Sequence, residues 1–245
     1  ALPGSIASSR HDFEDLTLLD STLLRGDEID RLRPAVHDAQ ADAAAAEGAA
    51  TKVHDAYTRL DDGTPLMGRR ARAALYMVRD PRDVAVSFAF HQSISLDQSV
   101  AFLNRGAARL APVQPQLHQN LLNWNGHVAS WLDQADLPVH LIRYEDLRAD
   151  TLEVFRRALD FLGISHTPQQ ARRAVSHSDF AELQRQEREH GFRERQKGQA
   201  LFFRRGEVGD WRNHLNDEQV RLIETAHAAM MDRLGYDRVT KAEEQ

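Results

Sequence analysis

Two stretches of this 245-residue chain carry side chains suited to holding an anion. The first is Arg79-Asp80-Pro81-Arg82-Asp83-Val84, followed in the same register by Ser87. It comes directly after the apolar run Ala74-Leu75-Tyr76-Met77-Val78. Asp80 suits an N-cap and Pro81 suits a first helical turn. A helix N-terminus presents free N–H groups and the positive end of its dipole. Arg79 adds a planar guanidinium that matches phosphate oxygens. From these residues alone, Arg79 either meets an anion or pairs with Asp83, and Ser87 either reaches that anion or packs. The second stretch is Phe202-Phe203-Arg204-Arg205-Gly206-Glu207-Val208-Gly209-Asp210-Trp211. Its two arginines precede a glycine that lets backbone approach a ligand closely. It reads either as an anion clamp or as a solvated loop after the charge-dense Glu182–Lys197 segment. A third feature, Lys52-Val53-His54, offers an imidazole able to take a proton near neutral pH. Taken alone, His54 reads more readily as a structural histidine than as a base.

The elements that must position these residues follow from pattern. Ala73–Val78 and Pro138–Tyr144 read as short buried strands. Helical patterns cover Gly26–Glu47, with Asp27 as N-cap, the segment from Pro81 to Gln92, and residues 96–105, 116–133, 150–162, 168–190 and 216–234. Asp62-Gly63 and Pro65 mark a loop within Tyr57–Arg70. Residues 1–25 show no clear period. Strands alternating with helices predict an α/β fold with a covered parallel sheet. With no linker-like composition, residues 1–245 are expected to form one domain.

Composition narrows the chemistry. Thirty-one Lys and Arg against 37 Asp and Glu leave a formal net charge of -6. That balance argues against a nucleic-acid polymer as partner and requires any anion site to be local. There is no cysteine, which excludes disulfides, thiol nucleophiles and Cys-ligated metals. The histidines are scattered, with no i, i+4 pair, so no metal site is expected. No apolar run is long enough for a membrane span. No signal peptide is expected, and the expected location is cytoplasmic.

The two arginine segments in this order resemble the sulfotransferase family, which uses 3′-phosphoadenosine 5′-phosphosulfate (PAPS) as co-substrate and releases adenosine 3′,5′-bisphosphate (PAP). Other landmarks fall in family order over roughly residues 50–235. Lys52-Val53-His54 is similar to the family's Lys-x-His strand end, and Trp124-x-x-His127-Val128-x-x-Trp131 to its next helix. Arg143-Tyr144-Glu145-Asp146 resembles its Tyr-Glu-Asp segment, and His177-Ser178-Asp179-Phe180 its His-Thr-Ser-Phe segment. The resemblance implies a three-layer α/β/α sandwich with a parallel sheet of the P-loop NTPase type. It implies that Arg79, Ser87, Arg204, Arg205 and Gly206 hold the 3′-phosphate. Tyr144, Ser178 and Phe180 would contact the rest of the nucleotide. His54 would act as general base with Lys52 near the leaving phosphate, and no metal would take part.

The family's phosphosulfate loop, Tyr-Pro-Lys-Ser-Gly after a first strand, has no match here. The expectation is therefore an N-terminally truncated sulfotransferase domain lacking that strand and loop. A small-molecule or glycan-type acceptor is expected, and oligomeric state is not readable. Two other readings stand beside transfer: a non-catalytic nucleotide-binding remnant and a small-molecule kinase on the related fold. The kinase reading lacks any Gly-x-x-x-x-Gly-Lys-(Ser/Thr) segment and leaves the 3′-phosphate residues without a purpose.

Overall fold

The computed structural model describes residues 4–43, 50–112, 116–192, 202–203 and 205–240. In chain order the elements begin with strand β1 (Gly4–Ile6), helix α1 (Arg10–Thr17), α2 (Gly26–Ala43) and β2 (Ala50–Lys52). Next come β3 (Ala74–Val78), α3 (Pro81–Gln92), α4 (Leu96–Leu103), β4 (Arg109–Leu110), β5 (Gln119–Asn120) and α5 (Trp124–Leu132). The rest are β6 (Val139–Arg143), α6 (Tyr144–Ala149), α7 (Thr151–Phe161), α8 (Pro168–His177), α9 (Phe180–His190) and α10 (Asp217–Leu234). The architecture is mixed α/β, as expected.

Contacts cluster into two compact units, Ala1–Ala74 with Arg105–Val139, and Leu75–Asn104 with His140–Gln245. In the first, β1 runs parallel to β2 with Ile6 opposite Lys52, and β4 pairs antiparallel with β5. Its core is built on Phe13, Ile29, Val36 and Leu117. In the second, β3 neighbours β6, and α3 lies on two apolar clusters. One joins Ala85, Val100, Leu103 and Ile223; the other joins Val86, Trp211 and Val220. No helix of the described residues is long and apolar enough to cross a membrane.

The strand–cap–helix unit at β3 and α3 falls where expected. Asp80 accepts from the Arg82 N–H at 2.9 Å, and Pro81 is the first helical residue. Four expectations need correction. Asp27 does not cap α2; the helix already begins at Gly26, and Asp27 sits in its first turn paired with Arg25. The far end of that pattern, including Ala44–Glu47, lies outside the described residues. Residues 116–123 are not helical, because Gln119 and Asn120 pair with β4 and Leu122 takes a left-handed φ of 58°. The helix starts only at Trp124, capped by Asn123. The 168–190 segment is two helices, broken where the Asp179 side chain caps α9. Finally, β3 is not buried on both faces: Leu75 and Met77 are 42% and 58% exposed, and among the described residues none covers that face of the strand.

Candidate functional site

In the second unit, four of the expected nucleotide residues, Arg79, Tyr144, Phe180 and Gly206, meet around the carboxyl end of β3. Val78 is buried and Arg79 follows it at the strand's mouth. The Arg79 Nη2 donates to the Glu207 carbonyl at 2.6 Å and lies 3.3 Å from Asp83 Oδ2. Its guanidinium stands over the Tyr144 ring, 4.5 Å from the centroid. Its Nε is buried and has no hydrogen-bond partner among the described residues. The Tyr144 hydroxyl donates to the Gly206 carbonyl at 2.9 Å. Gly206 has φ +63°, and a Cβ there would lie 2.7 Å from the Phe180 ring. Glycine is required on both counts, backbone conformation and close approach. Arg205 pairs with Asp210 at 3.1 Å. A guanidinium, two rings and a glycine backbone thus share one neighbourhood, a composition suited to a phosphorylated aromatic ligand.

Ser178 and Ser87 stand differently. The Ser178 hydroxyl donates back to Ala174 and Val175 carbonyls at the end of α8, and the residue is exposed. Ser87 is exposed on α3. Arg204 lies outside the described residues.

Of the carboxylates that hold this arrangement, sequence reasoning weighed Asp83 only as a partner for Arg79 and passed over Glu187. Asp83 is 1% exposed and accepts from the backbone N–H groups of Gly209 and Trp211 at 2.8 and 2.9 Å. Glu187, 2% exposed, accepts from the N–H groups of Phe202 and Phe203 at 2.6 and 3.0 Å. The described parts of the arginine–glycine loop are therefore tied to buried carboxylates on both sides of residues 205–206. Arg82 belongs to the frame. It is 3% exposed, donates to Asp80 and Glu224, and lies 4.2 Å from the Trp211 ring centroid. Burial alone would raise the Glu224 pKa. Hydrogen bonds from Thr240 and the Val239 N–H, with the Arg82 charge, hold it below the usual range instead.

In the first unit, Lys52 ends β2 exposed, and His54 follows half-buried. The His54 carbonyl accepts from His127 Nε2 at 2.9 Å. Burial lowers the His127 pKa, so the neutral ring is the donor there. Asp55, the next residue, is fully buried and takes both Nη groups of Arg33 at 3.0 and 2.7 Å. It also accepts from the Asn120 N–H, while its carbonyl accepts from Trp131 Nε1. His54 thus emerges from a segment whose backbone is pinned on either side. The helix residues His127 and Trp131, singled out through the family resemblance, are what pin it.

The sulfotransferase domain family model matches residues 66–235. Sulfotransferase 6B1 of Danio rerio is 26% identical over 184 residues, covering 66% of this chain and 55% of the relative. Cytosolic sulfotransferase 17 of Arabidopsis thaliana is 29% identical over 167 residues, covering 61% and 46%. The chain spans about half the length of the curated relatives it matches. A crystal structure described as retinol dehydratase in complex with androsterone and inactive cofactor PAP superposes with a TM-score of 0.56 at 23% identity. That superposition covers 81% of this chain and 56% of the other, and shows a shared fold of the P-loop NTPase type.

Proposed function

The chain belongs to the sulfotransferase domain family, and we propose that it serves transfer of a sulfuryl group from PAPS to a hydroxyl or amine of a small-molecule or glycan-type acceptor. The carrying observation is Arg79. It sits at a strand's carboxyl end, stacked on Tyr144, with a buried Nε that no described residue satisfies. A buried donor without an acceptor costs stability unless a ligand supplies one. A phosphate oxygen is the acceptor a guanidinium fits best. In this reading Arg79, Ser87, Arg204, Arg205 and Gly206 hold the 3′-phosphate of the donor, with PAP as product. Tyr144 and Phe180 flank the nucleotide, and Ser178 reaches it after leaving its own helix end.

The chemistry is an in-line displacement. An acceptor oxygen or nitrogen bonds to sulfur, and the bond from sulfur to the 5′-phosphate oxygen breaks. The acceptor's proton passes to His54. Lys52 offsets charge gathering on the leaving phosphate. A cytoplasmic location is supported by the relative whose printed name calls it cytosolic. A small acceptor is supported by the androsterone in the retinol dehydratase structure. The matched segment draws on both units, which supports reading residues 1–245 as one sulfotransferase domain.

Calorimetry on the full-length protein tests the donor assignment. PAP should bind well ahead of adenosine 5′-monophosphate; equal binding by folded protein removes it. His54→Ala should then slow transfer about 100-fold or more while leaving PAP affinity unchanged. A stable, PAP-binding variant with near-normal turnover would show that His54 is not the base.

A further inference from the structure

Resting on that reading, we infer that Asp83 is a positioning residue that sets the protein's selectivity for a 3′-phosphorylated nucleotide. Its carboxylate is the joint between the two arginine segments. One oxygen takes the Trp211 N–H at 2.9 Å. The other takes the Gly209 N–H at 2.8 Å and stands 3.3 Å from Arg79 Nη2. The side chain is fully buried, on the first turn of α3, so its place is set by the helix. From there it fixes two things at once: where Arg79 points, and where the loop carrying Arg205 and Gly206 re-enters the core. Glu187 ties the other end of the loop, at Phe202 and Phe203, and among the described residues it forms no hydrogen bond or ion pair with Arg79. The two carboxylates therefore have separable roles. Both hold the loop, and Asp83 alone holds the loop and Arg79 in one register.

A preorganised pair of phosphate donors binds more tightly than a pair that must first be ordered. A carboxylate beside Arg79 also opposes an incoming phosphate, so the sign of its effect is a real question. The two backbone N–H groups on Asp83 decide it. They spend much of its charge, and an amide in its place could accept from one of them only with its single oxygen well placed, leaving the other unsatisfied.

The test compares PAP with adenosine 5′-monophosphate by calorimetry in the full-length protein and its variants. Asp83→Asn should cut the preference for PAP about tenfold or more, leaving the monophosphate affinity unchanged. In an Arg79→Ala background the same change should alter the preference by less than it does in wild type, because the part of its effect that runs through Arg79 is already lost and only the part through the loop remains. Glu187→Gln and Arg79→Ala should instead combine additively. A folded Asp83→Asn protein that keeps its preference, or tightens it, overturns the inference, as does additivity with Arg79→Ala. Should Asp83→Asn fail to fold, Asp83→Glu keeps the charge but displaces it, and full preference in that variant overturns the inference equally. Wild-type protein that does not distinguish the two nucleotides counts against the donor assignment itself, a separate failure.

Discussion

Two buried aspartates, one in each unit, hold an arginine, and they hold it to different ends. In the first unit Asp55 takes both Nη groups of Arg33, and the arginine side chain is 1% exposed. In the second, Asp83 gives most of its capacity to loop N–H groups and touches Arg79 at 3.3 Å through one nitrogen. Arg79 remains 21% exposed; the Nε of each arginine lacks a partner among the described residues, so exposure and the single contact from Asp83 are what set Arg79 apart. The first pair is closed: it pins the segment from which His54 projects. The second is open: it orients a cation and leaves it capacity to bind. On the proposed function, what separates a structural arginine from a binding arginine is where the partner carboxylate spends its oxygens, not the presence of an ion pair.

Arg82 is the sharpest probe of that distinction, because it lies three residues from Arg79 and is closed. Arg82→Ala leaves Asp80 and Glu224 as buried carboxylates without their cation. Breaking a buried pair this way costs about 3–5 kcal/mol. Urea denaturation should show that loss, and nucleotide binding should fall only with the folded fraction. An Arg82→Ala protein of normal stability would dissolve the comparison.

Acid should weaken both units together. Burial holds His37 in the first unit and His227 in the second at about 4. A base whose folded pKa lies below its ordinary 6.5 takes its proton first in the unfolded chain. Stability from each is therefore level above pH 6.5 and falls as pH drops toward 4. The loss is on the order of 3 kcal/mol per imidazole across that window. Urea midpoints between pH 7 and 4.5 measure it, and His37→Asn should flatten the slope. An unchanged slope would mean that the buried carboxylates carry the acid sensitivity.

Arg79→Ala is the open counterpart of Arg82→Ala. Its stability should stay within about 1 kcal/mol of wild type. PAP affinity should drop by about 1.5–3 kcal/mol, the worth of a charge-assisted hydrogen bond. Calorimetry and denaturation on one preparation separate the two outcomes. A reversed ranking, with Arg82 the more important for binding, would put the site on the wrong face of α3.

How much of this was legible depends on how far apart the interacting residues lie. The turn from β3 into α3 was readable because Asp80 and Pro81 encode their own geometry in adjacent positions. The meeting of Arg79, Tyr144, Phe180 and Gly206 was reachable only through family order, since no local signal joins them. Asp83 was read merely as an alternative partner for Arg79. Its main partners are backbone groups 126 and 128 positions away, and backbone groups leave no mark in a sequence. Arg33 and Asp55 escaped notice for a related reason: a charged pair 22 residues apart looks like any other surface charges until burial is known. β1 is three residues long, too short for a period to show.

The smallest expected effect tests how the open site is held together. Tyr144 serves it twice: its ring lies under the Arg79 guanidinium, and its hydroxyl donates to the Gly206 carbonyl. Tyr144→Phe keeps the ring and removes the tie to the loop. A single neutral hydrogen bond contributes about 0.5–1.5 kcal/mol, so PAP should weaken only a few-fold. Tyr144→Leu removes both contributions, and the lost cation–π contact adds about 0.5–1 kcal/mol at a partly exposed site. The loop stays anchored by Asp83 and Glu187 in either variant, so neither should change stability much. If Tyr144→Phe costs as much as Arg79→Ala, the hydroxyl is the main fastening of the loop and the carboxylates are secondary. If Tyr144→Phe costs nothing while Tyr144→Leu weakens binding, the carboxylates alone set the loop and the ring acts only by steering Arg79. The second outcome would make the open pair of this protein a matter of one aspartate, one arginine and the aromatic face beneath them.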